Sequence, residues 1–463
     1  MMETEEVLRI SDRYYILSTS ARIDDRTHVL KHGDTFAVFD RFGDVEGSGA
    51  GNHGVFGIYH RDTRHLSRLR LRLADGRPLL LSSVIRDDNA ALAVDLMNPD
   101  LARGDGGDIH RGTIHVLRAT CLWNAACHER LTVHNYGLEP VEITLLLEFG
   151  ADFADIFEVR GLERERRGRA LPAEVTATEV TFSYEGLDGR LRRTRFSFDT
   201  PPARLDESGA RFDLRLAPRA EAVFRLAIDC DGSRQPAFWY EKAATEAGRQ
   251  LATAGAEEPQ VMTSNEQFND WLNRSLADLH MMRTVTPHGI YPYAGVPWFS
   301  TVFGRDGIVT AFECLWFNPA VAKGVLQYLA ATQAETVSDE QDAQPGKVLH
   351  ETRNGEMAGT GEIPFGRYYG SVDATPLFVA LAGAYFERTG DLATIREIWP
   401  QLERALEWID RYGDVDGDGF VEYSRRSARG LVQQGWKDSQ DSVFHRDGRL
   451  AEGPIALCEV QAD

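Results

Sequence analysis

A chain of 463 residues exceeds what one ordinary hydrophobic core organises, so two domains are the first expectation. Its formal net charge of -20 argues against nucleic acid or an anionic membrane as partner and fits a neutral ligand. Five cysteines, odd in number and without metal-ligand spacing, argue against a disulfide framework or a zinc site, and the acidic start and lack of a bilayer-length apolar run point to a cytoplasmic protein.

Residues 1–235 read as an antiparallel β-sandwich. Short β-branched and aromatic runs such as Phe36–Phe39, Val55–Tyr59, Pro78–Ser82, Thr113–Leu117, Val141–Leu145, Thr178–Tyr184 and Val223–Ile228 recur between Gly, Asp, Asn and Pro, with no helical crossovers between them. Residues 236–260 read as a linker helix around the charged stretch Tyr240–Gln250. A helical domain follows over 261–463. Ser264-Asn-Glu-Gln267 is a capping-box signal, and Phe268, Trp271, Leu272, Leu276 and Leu279 share one helical face. Further helices are expected at about 306–316, 319–334, 374–388 and 391–411. The last carries a stripe of Leu392, Ile395, Ile398 and Trp399, then Pro400 as a break or kink, then Leu402, Leu406, Trp408 and Ile409. Helices alternating with long loops suggest stacked helical hairpins whose loops meet at one end.

Three of those loops carry aromatic, acidic and basic residues together. The first, Pro297–Gly307, sets Arg305 and Asp306 among Trp298, Phe303 and glycines. A pyranose offers apolar faces that stack on aromatic rings and a rim of hydroxyls needing donors and acceptors, which a guanidinium and a carboxylate supply. A structural salt bridge at a helix start is the alternative. The second loop brings Arg367, Tyr368, Tyr369 and Asp373 to a helix entrance, and the third brings Trp436, Lys437, Asp438 and Asp441 together. One cleft is the economical reading, with His350 and Glu351 either lining it or packing a polar loop.

These residues carry a resemblance. Gly57-Ile-Tyr-His-Arg-Asp-Thr-Arg-His-Leu-Ser67 resembles the signature of the N-terminal domain of bacterial glycogen-debranching-type proteins. Phe303–Gly307, Gly346–Glu351, Tyr369–Thr375 and Gly435–Ser439 resemble the helical domain of that family. The resemblance implies a β-sandwich followed by an (α/α)6 toroid, and an amylo-α-1,6-glucosidase-like glycoside hydrolase acting on an oligosaccharide or α-glucan with inversion. It implies that Arg305 and Asp306 grip the non-reducing-end glucose and that the general acid lies in the segment Gly435–Ser442. Debranching enzymes, with an aspartate two residues after a tryptophan, favour Asp438; trehalase-like motifs favour Asp441, which is slightly preferred, and both are retained. In the charged cluster Arg61, Asp62, Thr63 and Arg64, stitching the sandwich to its neighbour is a better reading than catalysis.

An inverting hydrolase needs an acid and a base carboxylate roughly 6.5–9.5 Å apart. At 1.5 Å rise per residue, the roughly 200 residues after the sandwich give room for about six helices, half of a toroid. The family's base, a glutamate of the later half, has no counterpart, and Glu459 is not promoted to that role. The expectation is a toroid domain that looks truncated and lacks hydrolytic activity. A carbohydrate-binding or regulatory protein retaining the Arg305 and Asp306 grip is the alternative, and a glycoside phosphorylase on the same architecture is a third reading.

No cofactor is called for, with one reservation. Asp414-Val-Asp-Gly-Asp-Gly-Phe-Val-Glu422 matches the start of a calcium loop, with Asp414, Asp416, Asp418 and Glu422 as ligands, but Arg425 stands where an EF-hand has its bidentate glutamate. A plain turn is the alternative. Gly104-Asp-Gly-Gly107 is too short for a phosphate loop.

Overall fold

The computed structural model describes residues 7–10, 13–16, 27–46, 54–74, 76–102, 108–230, 239–256 and 258–463, and the Gly104–Gly107 segment lies outside them. An eight-stranded antiparallel sheet runs in the order Arg169–Val175, Glu179–Glu185, Leu191–Phe198, Glu221–Asp229, Ala126–Asn135, Ile114–Trp123, Leu92–Met97 and Leu79–Ile85. Facing it is a five-stranded sheet of Arg204–Asp206, Gly209–Leu216, Val141–Gly150, Arg68–Leu73 and Val45–Glu46. Alternation explains the pairing: Leu69, Leu71 and Leu73 point inward with Leu145 and Leu147 from one sheet, and Val94, Leu96, Val116 and Phe196 meet them from the other.

A third sheet, of four strands, forms the side towards the helices: His28–His32, Thr35–Phe39, Gly57–His60 and Thr63–Leu66. Thr35–Phe39 is buried throughout because both faces are covered. Ala37 and Phe39 enter the sandwich core, while Phe36, Val38 and Tyr59 pack against the short helix α1 (Ile156–Val159) and Trp298. Arg61 and Asp62, at φ 47° and 63°, make the left-handed two-residue turn that joins the last two strands of this sheet.

Helix α2 (Tyr240–Ala256), expected as a linker, docks on the sandwich: its Ala243 is buried with Ala91 and Cys121, and Arg225 pairs with Glu241. Then come α3 (Glu266–Met282), a hairpin of Arg283–Thr286 and Gly289–Pro292, α4 (Gly304–Cys314), α5 (Pro319–Thr332), the single-turn α6 (Glu356–Gly359), α7 (Ala374–Thr389), α8 (Leu392–Trp408) and α9 (Cys458–Ala462). Helices α4, α5, α7 and α8 pack on one another around Ile308, Val325, Leu329, Phe378, Leu381, Ile398 and Leu402.

Several expectations need correction. The N-cap of α3 is Asn265, whose side chain accepts from the Phe268 amide, so Ser264 is one residue too early. No residue of α3 is buried, and Trp271 is 63% exposed, because the helix meets the protein through only the end that carries Leu279. Helix α8 runs through Pro400 without a break, and Trp399, Leu392 and Leu406 face solvent while Ile395, Ile398, Leu402 and Trp408 form the buried stripe. Among the described residues no helix is long and apolar enough to cross a membrane.

Candidate active-site cleft

The cleft is built on the first turn of α4. Gly304 approaches the 349–351 segment so closely that a Cβ there would sit 1.9 Å from the Leu349 carbonyl oxygen, and its amide donates to the His350 carbonyl at 2.8 Å. Only glycine permits that approach. It fixes the next two side chains, Arg305 and Asp306, at the helix entrance.

Arg305 is 6% exposed and fastens three segments together. Its Nη1 donates to Asp373 Oδ2 at 3.2 Å and to the Gly435 carbonyl at 2.7 Å, and its Nη2 donates to Asp438 Oδ2 at 3.2 Å. Asp373 stands at the N-cap position of α7 but makes no capping bond; it is turned to Arg305 and accepts a short hydrogen bond from Ser371 Oγ. Trp436, 59% exposed, holds its ring 5.7 Å from the Arg305 guanidinium. Burial raises the Asp306 carboxyl above its ordinary value against the pull of Arg305, and repulsion from Asp438 and Asp373 adds to the rise. Arg305, Asp306, Asp373, Trp436 and Asp438 therefore cluster at one place.

The remaining expected residues lie elsewhere or face inward. Asp441 and Lys437 are exposed, and the Lys437 carbonyl accepts from Ser442 Oγ at 2.6 Å. Phe303 is buried edge-on to His350, which is edge-on to Tyr368 in turn. Burial, then Arg305, Arg353 and Lys347, hold the His350 imidazole far below its ordinary pKa, and its Nδ1 is buried without a hydrogen-bond partner. Tyr369 is part of the helical core, its hydroxyl donating to the Thr332 carbonyl at 2.8 Å. Glu351 faces the sandwich: its carboxylate takes Arg353 Nε at 2.9 Å, and burial raises its pKa against that arginine. Trp298 lies in the cluster between the domains.

The same junction gives Asp62 its place. It accepts from Arg353 Nη1 at 3.2 Å and from the Asn354 amide at 2.7 Å, so it stitches the sandwich to a loop of the helical domain. Arg64 instead pairs with Asp152 inside the sandwich. A second stitch joins Arg164 to Glu356 at 3.1 Å, with Tyr184 donating to the same carboxylate at 2.8 Å.

One organising residue escaped the sequence reading. Asp342, buried, accepts from Tyr368 Oη at 2.6 Å, from Gln434 Nε2 at 3.1 Å and from the amides of Arg426 and Ser427 at 2.7 and 3.0 Å. It anchors the loop that delivers Gly435, Trp436 and Asp438. Its only signal in sequence is its place in the acidic run Ser338-Asp-Glu-Gln-Asp342.

Carboxylate oxygens of Asp414, Asp416 and Glu422 lie within 4.8 Å of one another and could hold a cation. Asp418 does not join them; one of its oxygens accepts from the Phe420 amide at 2.9 Å. Asp414 is occupied with turn amides, taking those of Gly417 at 2.6 Å and Gly419 at 3.0 Å.

Residues 30–227 match the N-terminal domain of (some) glycogen debranching enzymes. The match covers 198 of the 463 residues. A putative kojibiose phosphorylase from human microbiome shares 9% identity over 86% of this chain and 58% of its own, with a TM-score of 0.57. A bacterial glucoamylase solved with acarbose shares 10% identity over 84% of this chain and 59% of its own, with a TM-score of 0.46. The chain thus spans under two thirds of either structure. No curated protein matches it. The phosphorylase likeness shows a shared fold, a β-sandwich followed by a six-hairpin-type helical domain.

Proposed function

We propose that the cleft around Arg305 binds the non-reducing end of an α-glucan or related oligosaccharide and that the chain belongs to an inverting glycoside hydrolase of the amylo-α-1,6-glucosidase type. The observation that carries the reading is the convergence on Arg305 of three loops, each bearing sugar-compatible chemistry. Trp436 offers an open ring face for a pyranose, and Asp306 offers a carboxyl for its hydroxyl rim. Asp438 is the better candidate for the group that protonates the glycosidic oxygen, because it stands in the cluster with Trp436 and Asp306, whereas Asp441 lies in the exposed part of the loop.

Inversion also requires a base carboxylate across the bond, roughly 6.5–9.5 Å from the acid. None of the residues placed in the cleft is assigned that role. Binding is therefore tested separately from turnover. Titration of maltooligosaccharides should quench Trp436 fluorescence, and Trp436→Leu should remove the change. Any glucose released from branched and linear substrates should be lost in Asp438→Asn and kept in Asp441→Asn. Binding without release supports the carbohydrate-binding reading, and release that survives Asp438→Asn rejects this acid. Phosphate-dependent release of a sugar phosphate would place the chain with phosphorylases instead.

A further inference from the structure

Arg160 follows α1 of the sandwich domain and reaches over the loop that leads into α4. Its guanidinium carbon lies 5.5 Å from the Phe157 ring, 5.9 Å from Trp298 and 5.6 Å from Phe299. Such contacts hold the cation by the negative ring faces but leave its N–H donors unused. Among the described residues no hydrogen bond or ion pair is made by this side chain. The carboxylate whose attraction it feels, Glu351, is already bonded to Arg353. This exposed arginine, whose donors meet solvent, stands among aromatic rings and so offers a ligand both an apolar face and hydrogen-bond donors.

The position neighbours the cleft across one packed layer. Phe299, 44% exposed, meets buried Phe303 edge-on at 5.7 Å, Phe303 meets buried His350 at 5.6 Å, and Arg305 is close enough to His350 to depress its imidazole. The sandwich is held in register here by Asp62 on Arg353 and by the Asp155 carboxylate accepting the Met357 amide at 3.0 Å. A chain with one sugar at Arg305 would have to pass over that layer to reach this rim.

We infer that Arg160, Phe299 and Trp298 form a further sugar subsite, built jointly by the two domains, that holds a glucan residue beyond the one bound at Arg305. The inference rests on the carbohydrate reading of the cleft. Phe299 supplies the ring face, and Arg160 donates to hydroxyls of the same sugar.

The test is calorimetric titration of the intact chain with glucose, maltose, maltotriose, maltotetraose and maltopentaose. Arg160→Gln and Phe299→Leu should leave glucose and maltose affinity within about twofold and weaken the longer ligands about tenfold, equivalent to about 1.4 kcal/mol. Arg160→Lys, a charge without the planar fork, should fall between. Equal affinity of wild type and both variants for every ligand overturns the subsite. So does a loss uniform across lengths or a lowered melting temperature without length dependence, which would make Arg160 a stitch between domains. Failure of the wild type to bind any member of the series would reject the carbohydrate reading itself, and the subsite with it.

Discussion

Lys31 should make the stability of the domain junction depend on pH. Its ammonium is enclosed between the four-stranded sheet and the hairpin after α3, donating to Thr284 Oγ1 at 2.8 Å and more weakly to the Met281 carbonyl at 3.4 Å, over the Tyr293 ring at 4.7 Å. It also borders a cavity of about 120 Å³ between the sandwich, α2 and α3. Burial lowers its pKa from 10.5 to about 7, with Asp34 opposing. The unfolded chain therefore binds the extra proton between pH 7 and 10.5, so this group's penalty is complete below pH 7 and is relieved as pH rises through that window. At about 1.4 kcal/mol per pH unit the full penalty is roughly 5 kcal/mol, and about half of it disappears between about pH 6 and pH 9. Urea unfolding of wild type and Lys31→Met at those two pH values isolates the effect, because packing changes in the variant do not depend on pH. The wild type should gain about 2–3 kcal/mol on the variant from the lower to the higher pH. A difference that stays constant refutes the argument that this amine gives up its proton near neutrality.

The remaining predictions concern the stitches, the acidic loop and the clasp. Arg353→Met strands Glu351 and Asp62 in a buried junction, so it should cost about 3–5 kcal/mol by denaturant unfolding and open the 351–366 loop to proteolysis. If Asp414, Asp416 and Glu422 hold Ca²⁺, tenfold excess over its dissociation constant adds about 1.4 kcal/mol, seen as a melting temperature that rises with Ca²⁺, falls with chelator and ceases to respond in Asp416→Asn. Arg305→Lys retains the charge but reaches fewer acceptors; oligosaccharide affinity should drop about tenfold or more, and the 433–442 loop should become protease-sensitive, whereas Lys437→Met should change neither.

The sandwich was legible because inward and outward residues alternate along most strands, and Thr35–Phe39 was legible despite lacking alternation because a short apolar run between turn residues still reads as a strand. The face of α3 misled for a related reason: periodicity shows that Phe268 and Trp271 lie on one side, but not that protein covers that side. The hairpin of Arg283–Thr286 and Gly289–Pro292 is too short to give a periodic signal. The stitching role of Asp62 was legible in its charged cluster, but its partner was hidden by distance, since Asp62 and Arg353 are 291 positions apart. Asp342 was hidden by economy, one carboxylate serving four donors, Tyr368, the adjacent amides of Arg426 and Ser427, and Gln434.

The cleft shows where residue type ends as a guide to role. Arg305 and Asp306 were read as a pair gripping adjacent hydroxyls, yet Arg305 spends three of its five N–H donors on Asp373, Gly435 and Asp438, which leaves Nε–H and one hydrogen of Nη2. Two donors can still reach a sugar, but the arginine's first effect is to fix where Trp436 and Asp438 stand. Asp306 makes no ion pair with it and keeps its carboxyl, with raised proton affinity, for other partners. On the proposed carbohydrate reading, recognition is divided: the guanidinium sets the geometry, and the carboxyl and the open indole face are left to meet the ligand. On this division a substitution at Arg305 disturbs every contact in the cleft at once, whereas substitutions at Trp436 or Asp306 remove one contact each, and the difference between those patterns is what distinguishes a clasp from a ligand-binding pair.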